Sequence, residues 1–139
     1  MVGRIIQTRV FVAGVAEGEI LRLSEPLSLW GGLNPDTGEI TDQHHPDSGK
    51  NVTGHILVMS MGRGSSSASS VLLEAVRQKT APSSIILAEM DGILVLGAVV
   101  AREIYEIDLP VLVVNPDDYD LLQSGQHARI LEDGRIILQ

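Results

Sequence analysis

The sequence has no cysteine among its 139 residues. This absence excludes disulfides, thiol nucleophiles and any zinc or iron–sulfur site whose ligands are cysteines of this chain. If a metal cluster takes part in the chemistry, another chain must therefore hold it.

Aromatic and basic residues are both scarce. One Phe, one Trp and two Tyr leave a core of Ile, Leu, Val and Ala, and they offer few platforms on which nucleic-acid bases stack. The 10 Lys and Arg residues stand against 18 Asp and Glu, which gives a net charge of −8. Because binding a phosphate backbone requires clustered basic residues, we expect no nucleic-acid partner.

Long apolar runs are also missing. The longest run, residues 93–101, is far shorter than the roughly 20 residues that cross a bilayer. Residues 1–13 alternate like a strand and lack a secretory signal pattern. We therefore expect no membrane partner and a cytoplasmic protein. A length of 139 residues with 44% hydrophobic composition fits a single domain over residues 1–139.

The apolar patterns predict an α/β domain. Strands are expected at 4–13, 19–23, 55–59, 84–88 and 111–114, helices at 69–79 and 93–103, and a hairpin around Asp133-Gly134. Strand, helix and strand in succession form right-handed βαβ units. The expected fold has a small parallel central sheet between flanking helices, with additional β-hairpins around it.

Residues 24–38 form a long loop before the central strand. They contain too many breakers for a helix, namely Pro26, Gly31, Gly32, Pro35 and Gly38. The apolar Leu27, Leu29 and Trp30 indicate that the loop is packed, which favours an active-site or interface loop. The alternative is a surface excursion anchored by Trp30 itself.

The turn at residues 62–67, Gly-Arg-Gly-Ser-Ser-Ser, joins a buried strand to a helix. The first helical turn has unpaired backbone amides, and the helix dipole adds positive charge, so the turn suits an anion. Glycine and serine also make ordinary loops and helix caps. The glycines on both sides of Arg63 and the three consecutive serines favour a site. The turn lacks the lysine of a nucleotide-binding loop and the third glycine of a dinucleotide fingerprint.

The titratable residues give weaker signals. His44 and His45 are adjacent, and His55 and His127 stand alone, so the spacing of a metal site is missing and we expect no metal ligands in this chain. His45 and the following proline are expected to help shape their loop. Residues 89–92 end a predicted strand and are expected to border the same cleft as the Gly-Ser turn.

Four segments together resemble the small swivel domain of aconitase X over nearly the whole chain. They are Leu29-Trp30-Gly31-Gly32, Asp36-Thr37-Gly38-Glu39-Ile40, His45-Pro46 and residues 62–69. The resemblance implies a swivelling β/β/α domain that closes over an aconitase X large subunit. That partner would carry the iron–sulfur cluster, and this chain alone would bind no cofactor.

The resemblance also implies roles for individual residues. Ser65 matches the catalytic base of the aconitase superfamily, and the expected substrate-binding residues are Arg63, Gly64, Ser66, Ser67, Gly31 and Gly32. The implied reaction is a dehydration in which the Ser65 alkoxide removes a proton next to a carboxylate while a cluster iron acts on the departing hydroxyl. Aconitase itself has an arginine where Ser67 stands here, so the substrate should differ from citrate.

Two substrates follow from the resemblance. Bacterial-type members dehydrate cis-3-hydroxy-L-proline, whereas archaeal-type small subunits serve phosphomevalonate dehydratase, which forms anhydromevalonate phosphate. The Ser66-Ser67-Ala68 run resembles the bacterial pattern and favours hydroxyproline. The prediction is a hydro-lyase subunit that is inactive without its large subunit. A non-catalytic ligand-binding or phosphocarrier module is the rival class, but residues 60–70 lack the histidine that phosphotransfer needs.

Overall fold

The computed structural model describes residues 3–63 and 66–139 of the chain. Gly64 and Ser65 lie outside the described residues, so the roles predicted for them remain predictions. The described parts include both flanks of the Gly-Ser turn, namely the strand before it and the helix after it.

In the described residues, eight strands form one sheet in the order β1-β8-β7-β3-β4-β5-β6-β2. Strands β3 to β6 run parallel, and the remaining neighbours pair antiparallel. The strands are β1 (Arg4–Ile6), β2 (Arg9–Val12), β3 (Ala16–Arg22), β4 (Ile56–Met59), β5 (Ser84–Leu87), β6 (Val111–Val113), β7 (His127–Ile130) and β8 (Ile136–Leu138). The helices are α1 (Leu29–Gly32), α2 (Ala68–Gln78), α3 (Gly92–Tyr105) and α4 (Pro116–Tyr119).

The prediction of a single strand at residues 4–13 is wrong, because this segment forms two strands at opposite ends of the sheet. Strand β1 pairs with β8, and β2 pairs with β6. Between them the Thr8 hydroxyl donates to the carbonyl oxygen of Gly134 at 2.8 Å. Alternation of apolar and polar residues predicts extended backbone but not its pairing partner, and here the chain changes partners within one extended segment.

The parallel strands are buried on both faces. One face, including Leu57 and Ile85, packs against α2 and α3. The other face, including Ile56 and Ile86, packs against side chains of β1, β7 and β8. The domain therefore has three layers, namely the helices, the parallel strands, and the strands β1, β7 and β8 of the same sheet. This arrangement confirms the β/β/α class. The sequence predicted helices on both sides of the parallel sheet, but the two long helices α2 and α3 lie on the same face. The crossovers from β4 to β5 and from β5 to β6 are both right-handed and run in the same direction across the sheet, so they place their helices on one face.

Helices α2 and α3 confirm the helices predicted at 69–79 and 93–103. The buried residues of α2 are Ala68, Val71, Leu72, Ala75 and Val76. Helix α3 is capped by Asp91, whose carboxylate accepts from the backbone N–H groups of Ile93 and Leu94 at 2.8 and 3.0 Å. None of the described helices is long and apolar enough to span a membrane.

Gly38 closes the turn that begins at Asn34, and it is expected to tolerate no side chain. Its backbone has φ +81°, and a Cβ built there would lie 2.2 Å from Thr53 Oγ1 and 2.8 Å from the Thr80 carbonyl oxygen. Gly38→Ala should lower the free energy of unfolding by about 2–4 kcal/mol, because it adds a steric clash to backbone strain. Urea unfolding measures this loss. Gly49→Ala is the matched control, since Gly49 has φ +91° but open space around it.

Gly49→Ala should cost about 1 kcal/mol, the cost of the backbone conformation alone. Equal losses in the two variants would contradict the packing argument at Gly38.

Candidate functional site

The candidate site lies at the carboxyl edge of the parallel strands, where the loops after β3, β4 and β5 meet. The chain leaves β4 through Ser60, whose carbonyl oxygen accepts from the N–H groups of Ala88 and Glu89 at 3.0 and 2.9 Å. These bonds tie the start of the Gly-Ser turn to the end of β5. Ligands of open α/β sheets bind at this edge of the strands.

Arg63 is held between two of these loops. Its backbone pairs with that of Ser28 in a parallel bridge, and its side chain is exposed. No ion pair within the described residues engages its guanidinium. An exposed arginine on a fixed backbone suits the binding of a carboxylate or phosphate.

A narrow crevice runs beside Arg63 and brings the three loops together. It is lined by Leu27, Leu29, Gly62, Ala68, Asp91 and Ile93, among others. A Cβ on Gly62 would lie 1.9 Å from Asp91 Oδ2, so a glycine is needed for this close approach. The expectation that residues 89–92 border the same cleft as the turn is confirmed. Asp91 is also the cap of α3, and the hydrogen bond from the Ile93 N–H fixes its carboxylate.

The serines at the start of α2 are arranged differently from an ordinary cap. Ser67 occupies the N-cap position in a helical conformation, and its side chain makes no cap hydrogen bond. The Ser66 carbonyl oxygen accepts from the hydroxyl of Ser69 at 2.8 Å, and Ser66 itself is exposed. The Ser67 side chain therefore does not cap α2.

Residues 24–32, named here the Trp30 loop, are packed by leucines and not by the tryptophan. Leu27 and Leu29 are 1% and 2% exposed, whereas Trp30 is 63% exposed. The alternative in which Trp30 anchors the loop is wrong. Gly31 is exposed and adopts φ +77°, a conformation that suits glycine, and Gly32 is buried with its carbonyl oxygen accepting from the Thr41 N–H at 2.9 Å. The short α1 is interrupted at Trp30 and Gly31, where the dihedrals are not helical.

Exposed apolar side chains surround this edge. Trp30, Met61 and Met90 are 63%, 39% and 50% exposed, and each is a sequence neighbour of a residue that lines the crevice. Clustered exposed apolar side chains mark surfaces that another molecule covers. The edge therefore combines a polar turn with an apolar rim.

The polar group that sequence reasoning missed is Asp47. It is 3% exposed, and its carboxylate binds Lys50 Nζ at 2.9 Å and the Ser24 backbone N–H at 2.9 Å. Burial by itself raises the pKa of Asp47, but the hydrogen bonds and charge supplied by Lys50 and Ser24 outweigh burial and leave that pKa below its ordinary value. The nearest titratable residue to Asp47 that the sequence analysis singled out was His45, which was expected to shape the loop and is 5% exposed.

The described residues offer no metal centre. They contain no group of three His, Asp or Glu side chains that could hold an ion. His44 is exposed, and His127 pairs with Glu17 at 2.7 Å on the antiparallel part of the sheet. Since the sequence also lacks cysteine, the donor set does not fit an iron–sulfur cluster held by this chain.

The three layers, with the candidate site at the carboxyl edge of the parallel strands, define a β/β/α domain. Residues 5–138 match the family model of the aconitase X swivel domain, and the chain belongs to this family. The resemblance of the four sequence segments is thereby confirmed.

Named relatives fall into two groups. The chain is 44% identical, over 96% of its length, to a cis-3-hydroxy-L-proline dehydratase of Pseudomonas aeruginosa, and it spans 23% of that protein. It is 35% identical, over 90% of its length, to the phosphomevalonate dehydratase small subunit of Pyrococcus furiosus, and it spans 87% of that protein. The chain thus spans about a quarter of one relative and most of the other.

A solved structure agrees with the fold. The crystal structure of Thermococcus kodakaraensis aconitase X in its holo-form superposes with a TM-score of 0.87 at 32% identity, covering 99% of both chains. The fold class predicted from the sequence is therefore confirmed.

Proposed function

We propose that the chain is the small, swivelling subunit of an aconitase X-type hydro-lyase that dehydrates a small 3-hydroxy acid, most favourably cis-3-hydroxy-L-proline. The observation that carries this proposal is the placement of Arg63. It is an exposed cation at the carboxyl edge, without an ion pair in the described residues, and in the sequence it directly precedes Gly64 and Ser65. Relatives of both named groups are dehydratases.

In this proposal Ser65 acts as the base. It takes a proton from the carbon next to the substrate carboxylate, the hydroxyl on the neighbouring carbon departs, and a carbon–carbon double bond forms. A serine alkoxide needs nearby positive charge, which Arg63 and the amides at the start of α2 would supply. Ser66 and Ser67 would donate hydrogen bonds to the substrate, and Gly31 and Gly32 would border it.

The proposal places the iron–sulfur cluster on an aconitase X large subunit. The name small subunit, carried by relatives of nearly the same length, supports such a partner. The exposed rim formed by Trp30, Met61 and Met90 would be covered when the two subunits close. The proposal includes a cytoplasmic location, with neither nucleic acid nor membrane as partner.

Phosphomevalonate is the second candidate substrate. The relatives named phosphomevalonate dehydratase small subunit resemble this chain in length, which favours the alternative. The higher identity to the hydroxyproline enzyme and the Ser66-Ser67-Ala68 run favour hydroxyproline. The two substrates are chemically distinct, since one is a cyclic amino acid and the other an acyclic phosphorylated hydroxy acid, so separate assays distinguish them.

Reconstitution tests both parts of the proposal. The chain would be co-expressed with the aconitase X large subunit of the same organism and purified as a complex under anaerobic conditions. We expect turnover of cis-3-hydroxy-L-proline by the complex, slower or no turnover of phosphomevalonate, and no turnover by either subunit alone. A stable, cluster-loaded complex that dehydrates neither substrate would contradict the proposed function.

A further inference from the structure

A buried polar cluster lies outside the candidate site and beneath one of its loops. In the described part of the chain, the buried polar or charged residues are His45, Asp47 and Ser84. Ser84 lies in β5, where its hydroxyl donates to the Pro110 carbonyl oxygen at 2.8 Å. His45 and Asp47 instead lie together in a loop, although burying such groups is costly unless every one is paired.

The two side chains bind consecutive residues of the Trp30 loop, Asp47 binding Ser24 and His45 binding Glu25. His45 Nδ1 accepts from the Asp47 N–H at 3.0 Å, so the ring proton lies on Nε2, which donates to the Glu25 carbonyl oxygen at 3.0 Å. Asp47 Oδ2 accepts from the Ser24 N–H at 2.9 Å and from its hydroxyl at 3.2 Å. Lys50 Nζ completes the cluster by donating to Asp47 Oδ1 at 2.9 Å.

These bonds fix the point where the chain leaves the sheet. Leu23 still pairs with β4, since its N–H donates to the Val58 carbonyl oxygen at 2.8 Å. Ser24 and Glu25 follow directly, and a few residues later the Ser28 backbone pairs with that of Arg63. The cluster therefore fixes one end of a short segment whose other end borders Arg63.

The more distant part of the long loop has anchors of its own. The Thr80 hydroxyl donates to the Pro35 carbonyl oxygen at 2.6 Å, and the Thr53 hydroxyl donates to the Thr80 carbonyl oxygen at 2.9 Å. Loss of the His45 and Asp47 bonds would thus loosen residues 24–32, which would keep only the packing of Leu27 and Leu29 and the bridge to Arg63, while the neighbouring turn stays bound to Thr80. This separation gives the cluster a specific effect on the Trp30 loop.

We propose that His45 and Asp47 are positioning residues that hold the Trp30 loop against Arg63 and so set the geometry of the site. The inference rests on the proposed function for its effect on catalysis, but its structural part can be tested without substrate or partner. Neither residue touches the reacting atoms in this proposal; they act through the Ser24 and Glu25 backbone.

The first test uses the isolated full chain, because Trp30 is its sole tryptophan and reports on the loop. His45→Leu fills similar space but removes both ring hydrogen bonds. We expect its time-resolved fluorescence anisotropy to shift toward faster local motion of Trp30. His45→Gln, which can still donate to the Glu25 carbonyl, should recover part of the slow motion. His44→Leu is the matched control, since His44 is an exposed neighbour, and it should leave the decay unchanged.

The second test uses the reconstituted complex with cis-3-hydroxy-L-proline. We expect His45→Leu and Asp47→Asn to lower kcat roughly tenfold, because small displacements of a positioned group reduce rates strongly. Lys50→Met should have a smaller effect in the same direction, since it removes one partner of Asp47. Unfolding temperatures, measured in parallel, show whether each variant is folded during the assay.

The outcomes separate the two proposals. A folded His45→Leu with unchanged Trp30 motion and unchanged kcat would overturn the positioning role, even if its unfolding temperature falls. If His45→Leu and Asp47→Asn do not fold, Lys50→Met decides by the same two measurements, because the Lys50 side chain is more than half exposed. A wild-type complex without activity would contradict the proposed function, and the Trp30 decay of the variants would still decide the structural inference.

Discussion

Ser65→Ala in the reconstituted complex should lower kcat about 10²–10⁴-fold, the range expected when a general base is removed. The hydroxyl is lost while the backbone amides of the turn remain, so substrate binding and subunit assembly should persist. The measurement is steady-state dehydration of cis-3-hydroxy-L-proline, together with a substrate-binding assay on the same complex. A large loss of kcat with a nearly unchanged dissociation constant would assign the proton transfer to this hydroxyl.

Ser70→Ala provides the matched control. Ser70 is an exposed serine in the first turn of α2, and the substitution removes the same atom from a position outside the proposed machinery. Its kcat should equal that of the wild type. Turnover by Ser65→Ala within a few-fold of the Ser70→Ala control would refute Ser65 as the base.

The sequence predicted the fold class well because the main signals are local. Continuous apolar runs marked β4, β5 and β6, which are buried on both faces. Helical spacing of apolar residues marked α2, and an apolar segment marked α3. The pair Asp133-Gly134 marked the terminal hairpin, in which the Leu131 N–H donates to the Arg135 carbonyl oxygen at 3.0 Å. Each of these features depends on residues that are close together in the sequence.

The pairing of β1 and β2 and the anchoring of the Trp30 loop could not be predicted in the same way. Both depend on contacts between residues distant in sequence. Strand β1 pairs with β8 near the other end of the chain, and Asp47 binds Ser24 across 23 residues. Trp30 was expected to be packed because large aromatic side chains usually are, yet the neighbouring leucines fill the available core.

For the candidate site, the sequence identified the turn and the bordering residues 89–92, but not the contacts that hold them together or the part played by Ser28. The bridge between Ser28 and Arg63 and the close approach of Gly62 to Asp91 bring together loops from three strands. No spacing rule predicts such contacts, because they depend on the order of strands in the sheet. The roles of Ser65 and Gly64 remain predictions from the resemblance.

Arg63→Ala should raise KM about 10- to 100-fold, because it removes charge-assisted hydrogen bonds worth about 1.5–3 kcal/mol to the substrate carboxylate. Arg63→Lys should restore part of the loss, since lysine keeps the charge but not the two-pronged geometry of the guanidinium. Initial-rate measurements over a wide range of substrate concentrations separate kcat from KM. Arg129→Ala, which removes an exposed arginine from β7, serves as the control and should leave both constants unchanged.

The relative changes in kcat and KM also show which role Arg63 has. A cation that holds the carboxylate equally in the ground state and the transition state changes KM, whereas one that stabilises the Ser65 alkoxide during proton transfer lowers kcat. We expect the KM effect to dominate, because the guanidinium is exposed at the sheet edge where a substrate would enter. A loss confined to kcat would make support of the base, and not substrate binding, the main role of Arg63, and unchanged kcat/KM would remove it from the site.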